Sequence, residues 1–595
     1  MAEGFLNRYN DELLALRRRA ARFADAFPKI AGRLRMTGEV ADDPHVERLI
    51  QSFAYSAARV RQKLDDEFPE LTDGLLETLY PHYLAPLPSM SIVRFQPSET
   101  LDSMQIVPRH TEILAEPVAG EVCRFRTTQD VEIAPIKIAA ANLSGQPINA
   151  PLSPYAGAAG CLRLSICSID PRKPMGEFGV GRLRLHISSP WQQAVVLYEL
   201  LANNTLGIAL ARHADDPAPV FLPARNIKPV GFEPEQAMLP YPAPSFIGYR
   251  LLTEFFALPQ KFLFLDIEGL DAWSGEAMEI FVYLKETDAK LERVVTARDF
   301  ALNATPVVNL FRQTCEPISV DGTRTEYRLL PDARRQKTRE IYSIDRVLLT
   351  GARGQEEFCQ PFFGRSQRAG NSTIFWQAYR RFDEDDGTSD IEIAFVDRDR
   401  RVTGSIDSVA SIDTLCINRD LPEQLPFGGG HPHLQLASGH EAIARVEALL
   451  PPTAAVRMND QEGRNWRLMS HLLLNHLSLF DNGGAALKDI LSLYAFRDNP
   501  ETKQLVDALI RIRAENSTAR LGSGSGGMVP GTDIELEFDP VGIDRPSAFL
   551  FGAMLDRFFS LYTSINSFTR LSVSMKGQSK PIATWPARAA ERPLL

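Results

Sequence analysis

Cysteine is scarce here, and no two cysteines lie close together. The 595 residues hold 6, at Cys123, Cys161, Cys167, Cys315, Cys359 and Cys416, with no C-x-x-C pair. Most sit beside apolar or β-branched residues, so they read as reduced, buried thiols rather than a disulfide frame. Long apolar runs are also missing. No stretch approaches the ~18–20 residues that cross a bilayer as a helix. The most apolar late segment, 548–562, is broken by Asp556 and Arg557. The opening MAEGFLNRYNDELL carries acidic residues and no apolar core, so no signal peptide and a cytoplasmic location are expected. Positive charge is not in excess. With 65 Lys and Arg against 75 Asp and Glu, the net charge is −10, which argues against general nucleic-acid binding. The arginines at 334–335, 380–381 and 398–401 lack interleaved aromatics on which bases would stack.

Catalytic signatures are absent as well. His471 and His476 fall in a helical stretch without H-E-x-x-H, and no G-x-S-x-G elbow occurs. The glycines of GSGSGG, 522–527, are followed by Met528, Val529 and Pro530, not by the lysine and hydroxyl of a phosphate loop. Asp383, Asp385 and Asp386 precede Gly387 in the wrong register for an EF-hand, so an exposed acidic turn is expected. His431, His433 and His440 lie in or near a glycine-rich joint, FGGGHPH at 427–433. No cysteine or carboxylate completes the set and the spacing matches no established pattern, so they read as loop histidines. His186 alternates with Leu183, Leu185 and Ile187 and reads as solvent-facing or simply satisfied. His82 is expected to fix its surroundings rather than do chemistry. No catalytic residue, cofactor or metal is therefore expected. An enzyme, such as a hydrolase with an unrecognised pocket, stands as the alternative.

What the chain does have is a helical arm and a β-rich body. Tyr9, Leu13, Leu16, Ala20, Phe23 and Phe27 follow a 4-3-4-3-4 spacing, with Phe5 one step earlier. That is a narrow apolar seam along one helix, 5–27, which Pro28 ends. A second helix is predicted from Asp43-Pro44, with Val46, Ile50, Phe53, Ala57, Val60 and Leu64 on one side. Two readings stand: a hairpin packed on its own domain, or a bundle shared with another chain. Thr72 can cap a short helix bearing Leu75, Leu76 and Leu79, which Pro81 should end. Pro86 and Pro88 then hold the chain extended, and from Met90 the apolar period drops to two.

The composition, 44% hydrophobic and 24% charged, is that of an ordinary globular protein, and the length suits three to five domains of roughly 100–200 residues. The fold class is α+β and multidomain. The divisions are a helical arm and proline connector at 1–89, a β-rich domain at 90–230, an α+β domain at 231–345, a β-rich domain at 346–448 and a C-terminal α+β domain at 449–595. Within these, 191–201 reads as an apolar helix, 251–257 as a short helix, and TIFWQAYRR with IEIAFVD as a hairpin. From about residue 440 the chain reads as helical again.

Four blocks carry a resemblance. They are TLYPHYLAPLPSMSIVRFQP at 78–97, GYRLLTEFFALPQKFLFLDIEGL at 248–270, TPVVNLFRQTCEPISV at 305–320 and FGAMLDRFFSLYTSINSFTRL at 551–571. Together with CRFRTT at 123–128 they resemble the TssF (VasA/ImpG) family, baseplate subunits of the bacterial type VI secretion system. The resemblance implies a structural subunit without enzymatic activity. It implies partners of the TssG, TssE and TssK families, two copies of this chain per TssG-type subunit, and a place around the VgrG spike hub where sheath and tube assembly begin. It further implies docking on the inner-membrane complex without membrane insertion. The partner-binding surface is expected on the arm, at Phe5, Tyr9, Leu13, Leu16, Phe23 and Phe27.

Overall fold

The computed structural model describes residues 80–362 (less 243, 244, 276 and 322), 374–382, 387–397, 408–457, 480, 484–495, 500–520, 528–563, 567–578 and 580–589. Within the first 79 residues it describes 27–33, 36–37, 40–41, 43–65, 75–77 and 79, with positions 9, 10, 13, 16, 17 and 23. The expectations for Phe5, Ala20, Thr72, the acidic turn at 383–386, the helical stretch holding His471 and His476 and the glycines at 522–527 lie outside these residues. The architecture is α+β and multidomain, and the chain divides into two compact units. One includes residues 1–79; the other includes 80–458 and 474–595.

In the first unit Tyr9, Leu13, Leu16 and Phe23 are helical, as the seam requires. Pro28 does more than end that helix: Pro28–Arg33 is a short helix of its own. Helix α1, Pro44–Asp65, begins where Asp43-Pro44 predicts, and the His45 amide donates to Asp43 Oδ1 at 2.8 Å. Its inward side is turned slightly from the predicted one, with Val46, Ile50 and Ala57 half-buried. Ala54 and Ala58 are fully buried, while Phe53 is 65% exposed. Small side chains let backbones approach closely, and here they take the inside position ahead of the aromatic. Arg17 pairs with Glu47, so the arm and α1 touch. Pro81 behaves like Pro28. It opens the short helix Pro81–Leu84, because proline's missing N–H costs nothing at the first helical position.

The second unit is built on a closed barrel. Its strands are β1 (Met90–Pro97), β2 (Glu112–Val118), β3 (Glu121–Thr127), β4 (Ala304–Val308), β5 (Leu434–Leu436) and β6 (Ile443–Ala448). Their order is β4-β1-β6-β5-β2-β3, and Val307 opposite Thr127 closes the ring. Alternation along β1 serves two cores at once. Val93 and Phe95 pack with Ile113, Phe125 and Val446, while Met90 and Ile92 pack with Ala304, Val308 and Leu310. Each such side chain contributes roughly 1.5–3 kcal/mol by leaving water. Strand β6 overturns the expected return to helix near 440. Glu441, Ala442, Ala444 and Glu447 are helix formers, but pairing with β1 outweighs that weak local preference.

Asn309, inside the third TssF-like block, clasps this region. Its amide donates to Arg124 O at 2.7 Å and to Asn418 Oδ1 at 2.8 Å, and it accepts from the Asn418 amide at 2.7 Å. The predicted hairpin is present, with Ile374–Phe382 antiparallel to Ser389–Asp397. The predicted helices appear as α2 (Trp191–Asn203) and α3 (Ile247–Ala257). Toward the C-terminus, β7 (Leu509–Arg520) pairs antiparallel with β8 (Met528–Phe538). Helix α4 (Arg545–Tyr562) then returns the chain to β9 (Phe568–Met575), parallel to β8. Phe549, Phe551, Met554, Phe558 and Phe559 are all buried, since α4 lies against α2, α3 and β9. No described helix is long and apolar enough to cross a membrane. All six cysteines are free, and five are buried.

Candidate partner-binding site

The arm's seam divides in two. Tyr9, Leu13 and Leu16 are half-buried. Phe23 and Phe27 are exposed, the latter by 53%, with ring centroids 5.2 Å apart. The same unit exposes apolar groups that the seam does not include: Ile30, Leu49, Tyr55, Leu75 and Leu79 besides Phe53. Leu49 is 70% exposed. The sequence held one signal for them. Leu49 and Phe53 stand four apart on α1 and so share a face; Phe53 belongs to the predicted stripe and Leu49 lies one step off it. Leu76 is buried as expected, but Leu75 and Leu79 point outward. Scattered exposed leucines are ordinary, whereas here many large apolar groups stand exposed in one small helical unit.

The connector is anchored by aromatic rings and one buried ion pair. Tyr80 Oη accepts from the Phe246 amide at 3.1 Å, and Tyr249 stacks on Tyr494 at 5.0 Å and 9°. Burial pushes the Tyr80, Tyr249 and Tyr494 hydroxyls above their ordinary range, so they stay neutral. Glu254 lies within the second TssF-like block. One of its oxygens accepts from the Met238 and Leu239 amides at 2.9 and 3.0 Å, and the other accepts from Lys261 Nζ. Both side chains are buried, and burial lowers the Lys261 pKa against the pull of Glu254. Sequence reading missed this pair because Glu254 and Lys261 sit seven residues apart in an otherwise apolar stretch. It orders the connector's surroundings rather than offering an open acid or base.

The structure decides between the two readings of one histidine and corrects that of another. His186 is buried, not solvent-facing, with Nε2 at 3.4 Å from Gln260 O. Its strand, Arg182–Ile187, has a paired neighbour on each edge at that position, and the His186 ring packs against Phe264 with centroids 4.5 Å apart. His431 does have a carboxylate beside it. Glu116, 315 positions away on β2, brings Oε1 to 2.9 Å from His431 Nδ1. That hydrogen bond holds the Glu116 pKa below its ordinary value.

The model of the family described as "Type VI secretion system, TssF" matches residues 1–592. The chain belongs to the TssF family. The type VI secretion system component TssF1 of Pseudomonas aeruginosa is 34% identical over 622 residues, covering 99% of each chain. The fold of this TssF-family chain is similar to a chain in the cryo-electron microscopy structure of the type VI TssK-TssF-TssG baseplate subcomplex. The TM-score there is 0.74 at 26% identity, over 92% of this chain and 99% of that one. A chain in a structure of the type VI baseplate complex has the same fold, with a TM-score of 0.61 at 24% identity over 99% and 100%.

Proposed function

We propose that this chain is a structural subunit of the type VI secretion baseplate wedge, held in place by partners of the TssG and TssK families. The observation that carries the reading is the full-length likeness to a chain of the TssK-TssF-TssG subcomplex. The exposed apolar groups of the helical unit give it a physical basis, since they fit burial against a helix of another subunit. Two copies of this chain stand around one TssG-type subunit, with Phe5, Tyr9, Leu13, Leu16, Phe23 and Phe27 in the shared bundle. The assembled wedge, with a TssE-type subunit, surrounds the VgrG spike hub and starts sheath and tube growth. It works in the cytoplasm, docked on the inner-membrane complex. The test is co-expression of the full chain with its TssG-type and TssK-type neighbours, followed by native mass spectrometry. A stable complex with two copies of this chain per TssG-type subunit is expected. Recovery of the three proteins as separate species overturns the reading.

A further inference from the structure

Three ligating side chains from distant parts of the chain meet at one rim of the barrel. Leu434 of β5 pairs with Ala115 of β2. One antiparallel step further, His433 faces Glu116, and its amide donates to Glu116 Oε1 at 3.4 Å. His431 stands beside His433, with ring centroids 4.3 Å apart. His431 Nδ1 stands 2.9 and 3.1 Å from the two Glu116 oxygens. One ligand atom from each of the three side chains lies within 4.8 Å of the other two. The turn that presents the histidines is fixed by backbone. Gly428, Gly429 and Gly430 all have positive φ, which glycine adopts at little cost. Gly428 N and His431 N each donate to the other's carbonyl, at 3.2 and 3.1 Å.

A carboxylate–histidine hydrogen bond alone requires His431 and leaves the second imidazole without a purpose. We propose that Glu116, His431 and His433 form a binding site for a first-row divalent transition metal, zinc foremost, with water completing the coordination. Two imidazole nitrogens and one carboxylate oxygen are the ligand types zinc, cobalt and nickel take. Calcium and magnesium want more oxygens than this rim offers. Zinc bonds of about 2.0–2.1 Å in a tetrahedron place ligand atoms about 3.3 Å apart. The Glu116–His431 separation must open slightly, and the exposed His433 ring has room to swing in. The metal would tie β2 to the turn at 428–431 and so hold the barrel rim closed, a role independent of the proposed function.

The test uses the full-length chain without a tag, stripped with a chelator and brought to equilibrium by dialysis against zinc chloride. About one equivalent of saturably bound zinc is expected by elemental analysis, and no comparable uptake of calcium. His431→Ala and His433→Ala should each weaken binding by about tenfold or more. His440→Ala, nearby but outside the cluster, should leave it unchanged. Cobalt(II) should give visible ligand-field absorption in the parent that His433→Ala lacks. His433 is exposed, so the metal-free variant should melt with the metal-free parent, and zinc should raise the melting temperature of the parent alone. If one histidine variant misfolds, Glu116→Gln replaces it and should lose binding in the same way. The proposal falls if zinc uptake does not saturate, if calcium binds as well, or if the His431→Ala, His433→Ala double variant binds undiminished.

Discussion

His82 stands with its ring centroid 3.7 Å from that of Tyr241, and neither ring nitrogen has a hydrogen-bond partner among the described residues. Burial, reinforced by the Arg250 charge, lowers its pKa to about 3. Burial lowers that of His186 to about 4, against the pull of the Gln260 carbonyl. Both rings are neutral in the folded chain at neutral pH. In the unfolded chain each takes a proton near the ordinary value of about 6.5, so below that pH the unfolded state holds more protons. Their contribution is full above about pH 6.5 and is lost toward pH 4, at up to about 1.4 kcal/mol per pH unit for each ring. Asp556 has the opposite sign. Burial raises its pKa to about 6, with the Arg588 charge opposing. Between about pH 4 and 6 the folded state keeps a proton the unfolded chain has lost, so this group weakens the fold as pH rises through that window. Urea midpoints across pH 4–7 should therefore fall less steeply on acidification in His82→Phe than in the parent, and more steeply in Asp556→Asn. A His82→Phe chain with the parent's pH slope would refute the assignment. The sequence put His82 among prolines and aromatics, which is where it lies. It left His186 open between solvent-facing and simply satisfied, because strand alternation tells which residues share a face but not whether that face meets water.

Helices and their stops were the most legible elements, since proline and capping residues act within a few positions. Asp43-Pro44 marked the start of α1, and the alternation of Met90 to Phe95 marked β1. Barrel closure was not legible. Strands β1, β4 and β6 draw residues from 90–97, 304–308 and 443–448, and nothing local encodes which distant strand is the partner. For the same reason Glu116 could not be joined to His431 from the sequence. The exposed part of the helical unit was only half legible, because its outer residues include Leu49, which lies off the predicted stripe, and Phe53, which the stripe placed inside. Their exposure gives a clean test of the partner surface. Phe23→Glu with Phe53→Glu changes side chains that already meet water, so the free chain should keep its stability within about 0.5 kcal/mol. In a subunit interface the same charges would be buried without partners, at a cost of several kcal/mol. The double variant should melt with the parent yet lose co-purification with the TssG-type subunit. Arg59→Ala, at an exposed charged position of α1, is the control and should still assemble. A double variant that assembles normally would place the partner elsewhere.

At the scale of the whole molecule, those exposed groups also govern how the chain behaves alone. Phe23, Phe27, Ile30, Leu49, Phe53 and Tyr55 all stand in a unit built on fewer than a hundred residues. Apolar groups concentrated in this way favour association with any complementary surface, including that of a second copy. Repulsion is a weak counterweight, because a net charge of −10 is spread over 595 residues. Without its partner the chain should therefore self-associate, with a mass by light scattering that grows with concentration. Adding the TssG-type subunit should replace those species with one of defined mass, since the partner competes for the same surface by mass action. The Phe23→Glu, Phe53→Glu variant separates this cause from general insolubility. If the helical unit drives association, the variant alone should run as a monomer at concentrations where the parent does not. A parent chain that is monomeric across that range, or a variant that associates as strongly, would show that this unit is not the sticky part of the molecule.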